Sequence, residues 1–311
     1  ALVNFSGSKA IVRFQSIFTY GFVIIAVLIL GDMLAHGRAV NLQPMFPNNA
    51  EFSWREGAIA ILASAAFLLN GFQTVSQMIE ERAAHISFRT VGWMMMGVIM
   101  AAAAFYCLAI IATAALTPWQ ELAKTELPVI AGARLLPGGQ ILAPVVILAT
   151  MASLIKTWNS VFLVAVRTLI ALGRENMIPA AFAEVDARTG TPRNAVLFVA
   201  ALNIAGLPLG RGAIGSLIDM SSASMTLCFV TCCIAVLVLR RRLGDNAAFR
   251  VPGGVVTIAI AIVGSFAMMA SALVFPLFKS PGVPLLHWLL LGWLCLGGLF
   301  WLAYGGRAKR S

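Results

Sequence analysis

The residue best placed to do chemistry is Lys156, a lone cation inside a long apolar stretch. It lies 11 residues before Arg167, or about 16 Å along a helix rising ~1.5 Å per residue. That is too far for the ammonium to snorkel easily to an interface. A charge at such depth costs at least ~2.5–3.5 kcal/mol on insertion scales, so it needs a polar cavity or a partner. Two roles fit. The ammonium occupies a cation site, fixed or titrating as a proton carrier, or it is a structural lysine satisfied by carbonyls and hydroxyls of neighbouring helices. Trp158 and Asn159 follow it and are candidates to line the same cavity.

A second centre is the run Phe67-Leu68-Leu69-Asn70-Gly71-Phe72-Gln73, followed by a polar stretch ending in Glu80-Glu81-Arg82. Gly71 lets the backbone leave helical geometry, at a cost of roughly 1 kcal/mol relative to alanine even where it stays helical. A half-helix ending near Phe67–Asn70 would present free carbonyls and the negative end of its dipole, both suited to an ammonium group or a cation. The alternative is a continuous helix whose glycine and asparagine pack against a neighbour. Ser221, Ser222, Ser224 and Thr226 form a third polar stretch, suited to helix packing or ligand contact. Asp219 precedes it and is expected to be hydrated. His36, His85 and His287 are scattered, with no metal-binding or paired-carboxylate pattern. No enzyme site, metal or cofactor is expected.

These groups are embedded in long apolar elements. Apolar residues make up 60% of the chain and charged residues 11%, against about 45–50% and about 25% in soluble domains. Continuous runs long enough to cross a bilayer as helices need about 20 residues, and spans are predicted at 10–34, 55–79, 90–116, 139–166, 193–210, 214–239, 254–277 and 283–305. The expected fold class is an all-α polytopic membrane protein with eight transmembrane helices, forming a single membrane domain over residues 1–311. Barrel strands would show shorter alternating segments instead. All five cysteines fall inside the runs and read as small apolar fillers.

The net charge of +10 does not point to nucleic acid, because the basic residues cluster in connections between spans. Eight spans place both termini on one side. With both termini inside, the cytoplasmic segments collect fifteen of the 22 Lys and Arg residues, among them Arg167, Arg174, Arg240, Arg241 and Arg242. Excess Lys and Arg marks the cytoplasmic face. The Arg240–Arg242 run reads as a topology anchor, with anionic-lipid contact as a secondary role. The segment Arg167–Asn176 is helix-friendly until Pro179 and Gly190-Thr191-Pro192 interrupt it.

Three separated motifs carry a family resemblance. Asn70-Gly71-Phe72-Gln73-Thr74-Val75-Ser76-Gln77 with Glu80-Glu81 resembles the sixth helix of the amino acid–polyamine–organocation permeases. Gly173-Arg174-Glu175-Asn176-Met177-Ile178-Pro179, then Gly190-Thr191-Pro192-Arg193-Asn194-Ala195, is similar to the stretch after their eighth helix. Arg240-Arg241-Arg242 with Phe249-Arg250-Val251-Pro252-Gly253 is similar to their tenth-to-eleventh loop. The resemblance implies helices five to twelve of a twelve-helix, inverted-repeat permease fold. Residues 1–34 would be the last helix of the first repeat, 55–239 the second repeat, and 254–305 two accessory helices. The first four family helices would be absent, and transport by the chain alone is then not expected.

Carried over by position, Phe67 matches the aromatic residue that closes over substrate. Asn70 and Gly71 match the unwound region, with Phe72 beside them. Gln73 falls where some members carry an acid. Trp158, Asn159, Ser221 and Ser222 complete the candidate substrate contacts. Some proton-coupled relatives carry a fifth-helix lysine in place of sodium. The equivalent region here, Tyr20-Gly21-Phe22, has none, and Lys156 is expected to replace it from the opposite wall. The implied function is secondary amino-acid transport by alternating access, proton-coupled or by exchange, across a bacterial inner membrane. A polyamine or organic-amine permease, or a truncated non-transporting paralogue acting as sensor or partner, is the alternative.

Overall fold

The computed structural model describes residues 8–48, 53–77, 85–186, 190–243 and 251–304, with residues 8–15 and 243 as backbone only. The regular elements among them are helices, as expected where hydrocarbon demands that backbone groups bond within their own segment. They are α1 (Ser8–His36), α2 (Trp54–Leu68), α3 (Thr74–Gln77), α4 (Phe88–Leu116), α5 (Trp119–Leu122), α6 (Pro128–Leu135), α7 (Gly139–Arg174), α8 (Arg193–Gly206), α9 (Ile214–Leu243), α10 (Gly254–Lys279) and α11 (Leu285–Tyr304). Among the described residues, six stretches are long and apolar enough to cross a membrane: Ser16–His36, Phe88–Leu116, Gly139–Arg174, Arg211–Arg242, Gly254–Lys279 and Leu285–Tyr304. Many large apolar side chains on them face outward, Leu302 at 84% and Phe278 at 82% exposed among them. Continuous apolar surface of this kind suits lipid.

The two remaining predicted spans differ from simple rods. The second is interrupted, and only α2 and the single turn α3 are helical among its described residues. The fifth is the 14-residue α8, prolonged by a 3-10 turn at Leu207–Leu209 that contains Pro208. The fourth predicted span runs on to Arg174. It stops there because Asn176 adopts a left-handed φ of 54° and the Met177 N–H closes back on the Leu172 carbonyl at 3.0 Å. This is a Schellman-type terminus with Asn in the usual Gly position. The connection expected at Thr117–Gly138 contains two short helices, α5 and α6, the latter started by Pro128 at its first turn. Glu80, Glu81, Arg82, Phe249, Arg250 and the last basic residues lie outside the described residues.

The chain packs as two units, Ala1–Asn49 with Met100–Leu163, and Ala50–Ile99 with Val164–Ser311. The first has its core where Ile29, Leu30 and Met33 of α1 meet Ala112 of α4, Ala133 of α6, and Ala143 and Val146 of α7. The turn after α1 is fastened to the end of α4. The Arg38 N–H donates to the Ala115 carbonyl at 2.7 Å, and Asn41 Nδ2 donates to the same oxygen at 2.8 Å. This close approach requires Gly37, since a Cβ there would lie 2.6 Å from Ala115 Cβ and 3.0 Å from the Met33 carbonyl oxygen. Gly37→Ala is therefore expected to destabilise the unit by about 1–3 kcal/mol, read as a lower thermal midpoint in detergent; an unchanged midpoint would refute the close packing.

The second unit is built around α2, α9 and α10, with α11 also against α9. Its central contact uses small residues: Ala63 of α2, Ala223 of α9 and Ala272 of α10, all buried, with Leu273 and Leu290 around them. In lipid, where no hydrophobic force drives helices together, such residues let backbones approach and gain dispersion contacts. At one end, Lys279 of α10 pairs with Glu56 in the first turn of α2. Elsewhere in the unit, Phe182 stacks edge-on against Phe198 with centroids 5.3 Å apart, and Asn194 Nδ2 donates to the Ala181 carbonyl at 2.9 Å.

Candidate functional site

The second unit holds the interruption. The ladder of α2 ends with the Leu69 N–H on Ala65 and the Asn70 N–H on Phe67, at 3.0 and 3.1 Å. Gly71 then takes φ +124°, a conformation open to glycine and strained for any other residue. Helical bonding resumes with Thr74 N–H to the Gly71 carbonyl at 3.1 Å. Among the described residues, the carbonyls of Leu68, Leu69 and Asn70 receive no main-chain hydrogen bond. The sequence left a broken and a continuous helix open; the structure has the broken one.

Gln73 braces the interruption. Its Oε1 accepts from the Gly71 N–H at 3.0 Å, and its Nε2 donates to Asn70 Oδ1 while lying 4.0 Å from the Met225 sulfur. The side chain thus mimics the missing turn and fixes Asn70. Phe72 stacks against Phe229 of α9, centroids 5.8 Å apart. Ser222, wholly buried, accepts from the Phe67 main-chain N–H at 3.1 Å. Its neighbour Thr226, equally buried, bonds back to the Ser222 and Ala223 carbonyls at 3.0 and 2.9 Å. The structure therefore gathers Phe67, Asn70, Gly71, Phe72, Gln73 and Ser222 at one place. The Phe67 ring is 38% exposed, which leaves its face available. Ser221 is half-buried beside Ser222 on α9. Asp219, expected to be hydrated, is also half-buried, three residues before Ser222 and so on the same side of the helix.

The first unit holds Lys156. Its Nζ donates to Thr19 Oγ1 on α1 at 2.7 Å, the short distance expected of a charge-assisted bond. Thr19 adjoins Tyr20-Gly21-Phe22. Along the continuous helix α7, Asn159 and Ser160 follow at three and four residues and share the lysine's face. Ser160 Oγ caps the Lys156 carbonyl at 3.2 Å. Trp158, two residues on, turns about 200° away; it is 58% exposed and lies against Phe162, centroids 6.0 Å apart. Trp158 and Lys156 thus do not line one face.

Thr19, Met225 and Phe229 were not singled out from the sequence. Thr19 was visible as a polar residue in an apolar run, but its pairing with Lys156 spans 137 positions and has no local signal. Met225 and Phe229 look like ordinary span residues until the interruption is placed beside them. Among the described residues, no group of His, Cys, Asp or Glu comes together as a metal site.

Among curated proteins there is no match. The family model described as amino acid permease matches residues 1–301, nearly the whole sequence. The chain is an integral membrane protein that belongs to the amino acid permease family, a family of transporters rather than enzymes.

Proposed function

We propose that this permease moves amino acids across a bacterial inner membrane by alternating access, coupled to protons or operating by exchange. One observation carries the reading: the interruption after α2, where the free carbonyls of Leu68, Leu69 and Asn70 meet the exposed ring of Phe67. Unpaired carbonyls at membrane depth are tolerated only where they line a cavity or meet protein, and they suit the ammonium of an amino acid. Phe67 covers the substrate, Asn70 and Ser221 contact its polar groups, and Ser222 and Gln73 hold the frame. In this reading α1 corresponds to the fifth family helix, α2 to α9 to the second repeat, and α10 and α11 to the accessory pair. The basic ends of α7 and α9 face the cytoplasm together with both termini.

Counterflow of labelled amino acids into proteoliposomes tests the reading, with the chain alone and with any sequence preceding it in its reading frame. Saturable counterflow of at least one amino acid is expected. Verified insertion with no counterflow in either form would overturn transport and favour a sensor or partner role. One observation supports an amine substrate instead. Asp219 sits half-buried on the Ser222 side of α9 and has no partner among the described residues. Polyamine counterflow exceeding that of amino acids, and lost in Asp219→Asn, would establish that alternative.

A further inference from the structure

The first unit contains a pocket that the transport reading does not use. It lies where the end of α1 and its following turn meet the ends of α4 and α6, and its volume is about 670 Å³. Small-molecule pockets commonly fall in the range of roughly 300–1,000 Å³. His36, Arg38 and Asn41 supply its polar lining, and Leu116, Leu135 and Pro137 are part of its apolar wall. Under the orientation proposed above, it opens on the outer side.

The polar groups have unused capacity of both signs. The Arg38 guanidinium has no hydrogen-bond or ion-pair partner among the described residues. Its fork of donors suits a carboxylate. Asn41 donates its Nδ2 to the Ala115 carbonyl, which leaves Oδ1 as an acceptor. His36 Nδ1 lies 3.1 Å from both the main-chain and a side-chain oxygen of Asp32. One pocket thus carries a carboxylate donor, an ammonium acceptor in Asn41 Oδ1 and an apolar wall.

The mounting is rigid. Arg38 and Asn41 are both held on the Ala115 carbonyl that ends α4, the Asn41 N–H donates to the Arg38 carbonyl at 3.0 Å, and Gly37 permits the contact. Groups positioned by fixed backbone lose little entropy on capturing a ligand. A cation at the end of α1 also complements the helix dipole. That role needs neither the acceptor nor the pocket.

We infer that this pocket is a second amino-acid site, taking a zwitterionic α-amino acid with an apolar side chain. Arg38 binds the carboxylate, Asn41 Oδ1 takes the ammonium, and Leu116, Leu135 and Pro137 receive the side chain. The choice of amino acid over a simple carboxylate follows from that acceptor. The site rests on unit-one geometry and stands apart from the interruption after α2.

The test is protection of an introduced thiol. In a chain whose five native cysteines are replaced, Leu135→Cys is labelled with a maleimide in detergent, with and without millimolar L-leucine. Leucine is expected to slow labelling about fivefold or more, with 4-methylpentanoate and 3-methylbutylamine, the two halves of the ligand, each protecting less. Adding Arg38→Gln should abolish protection, and Arg38→Lys should restore part of it. Labelling of Leu135→Cys that ignores leucine would overturn the site, whatever the fate of the arginine variants. Protection that survives Arg38→Gln would overturn the assigned carboxylate contact. Counterflow in the same preparation separates the two readings: protection without counterflow keeps this site and sinks transport, while counterflow without protection does the reverse.

Discussion

Lys156→Ala should lose proton-driven amino-acid uptake by on the order of a hundredfold, general acid–base groups contributing typically 10²–10⁴-fold, while the protein still inserts. The expectation rests on the bond that the ammonium makes to Thr19, 2.7 Å long, at a depth where a cation is costly and commonly functional. Lys156→Arg separates the two roles left open by the sequence. Arginine keeps the charge and the donor but does not release its proton. A proton carrier is therefore expected to retain exchange in the arginine variant and to lose uptake driven by a pH gradient. A purely structural lysine would retain both. Thr19→Val removes one charge-assisted bond, about 1.5–3 kcal/mol, so its uptake should fall by roughly tenfold to a hundredfold. Undiminished driven uptake by Lys156→Ala would sink the coupling role.

Gly71→Ala should have the second large effect. At φ +124° a Cβ costs about 1–3 kcal/mol. No neighbour lies within 4 Å of the Cβ position, so the penalty is conformational rather than steric crowding. Alanine also favours helix over glycine by roughly 1 kcal/mol. Both terms press the segment toward a continuous helix, which would bond the carbonyls of Leu68 and Leu69 and close the proposed ammonium site. Counterflow is expected to fall at least about tenfold, the equivalent of 1.4 kcal/mol, with the folded protein retained. Counterflow at the wild-type level in Gly71→Ala would show that the open backbone is not needed. Gln73→Leu acts on the same element from the other side, because it removes the amide that stands in for the missing turn.

The elements that could be read from the sequence are those whose cause is local. Continuous apolar runs gave α4, α10 and α11 nearly to the residue, since composition alone forces a helix in hydrocarbon. Asn70-Gly71 marked the interruption because glycine is a local property. The extension of α7 past the fourth apolar run to Arg174 was legible as the helix-friendly stretch Arg167–Asn176, though not as one continuous helix with that run. Pairings across the sequence were not legible. Nothing near Thr19 announces Lys156, and nothing in Ser222 announces the Phe67 N–H 155 positions away. Trp158 was grouped with Lys156 by adjacency, and helical rotation separates them.

The fastening of α2 has a mechanical meaning. Its first turn is tied to α10 through Glu56 and Lys279, and its last turn is tied to α9 through Phe67 and Ser222. Between them, alanines hold it flat against both neighbours. A rod clamped at both ends transmits load without absorbing it. Any torque that a captured molecule applied to α2 would then fall on the five residues that follow, Leu69 to Gln73.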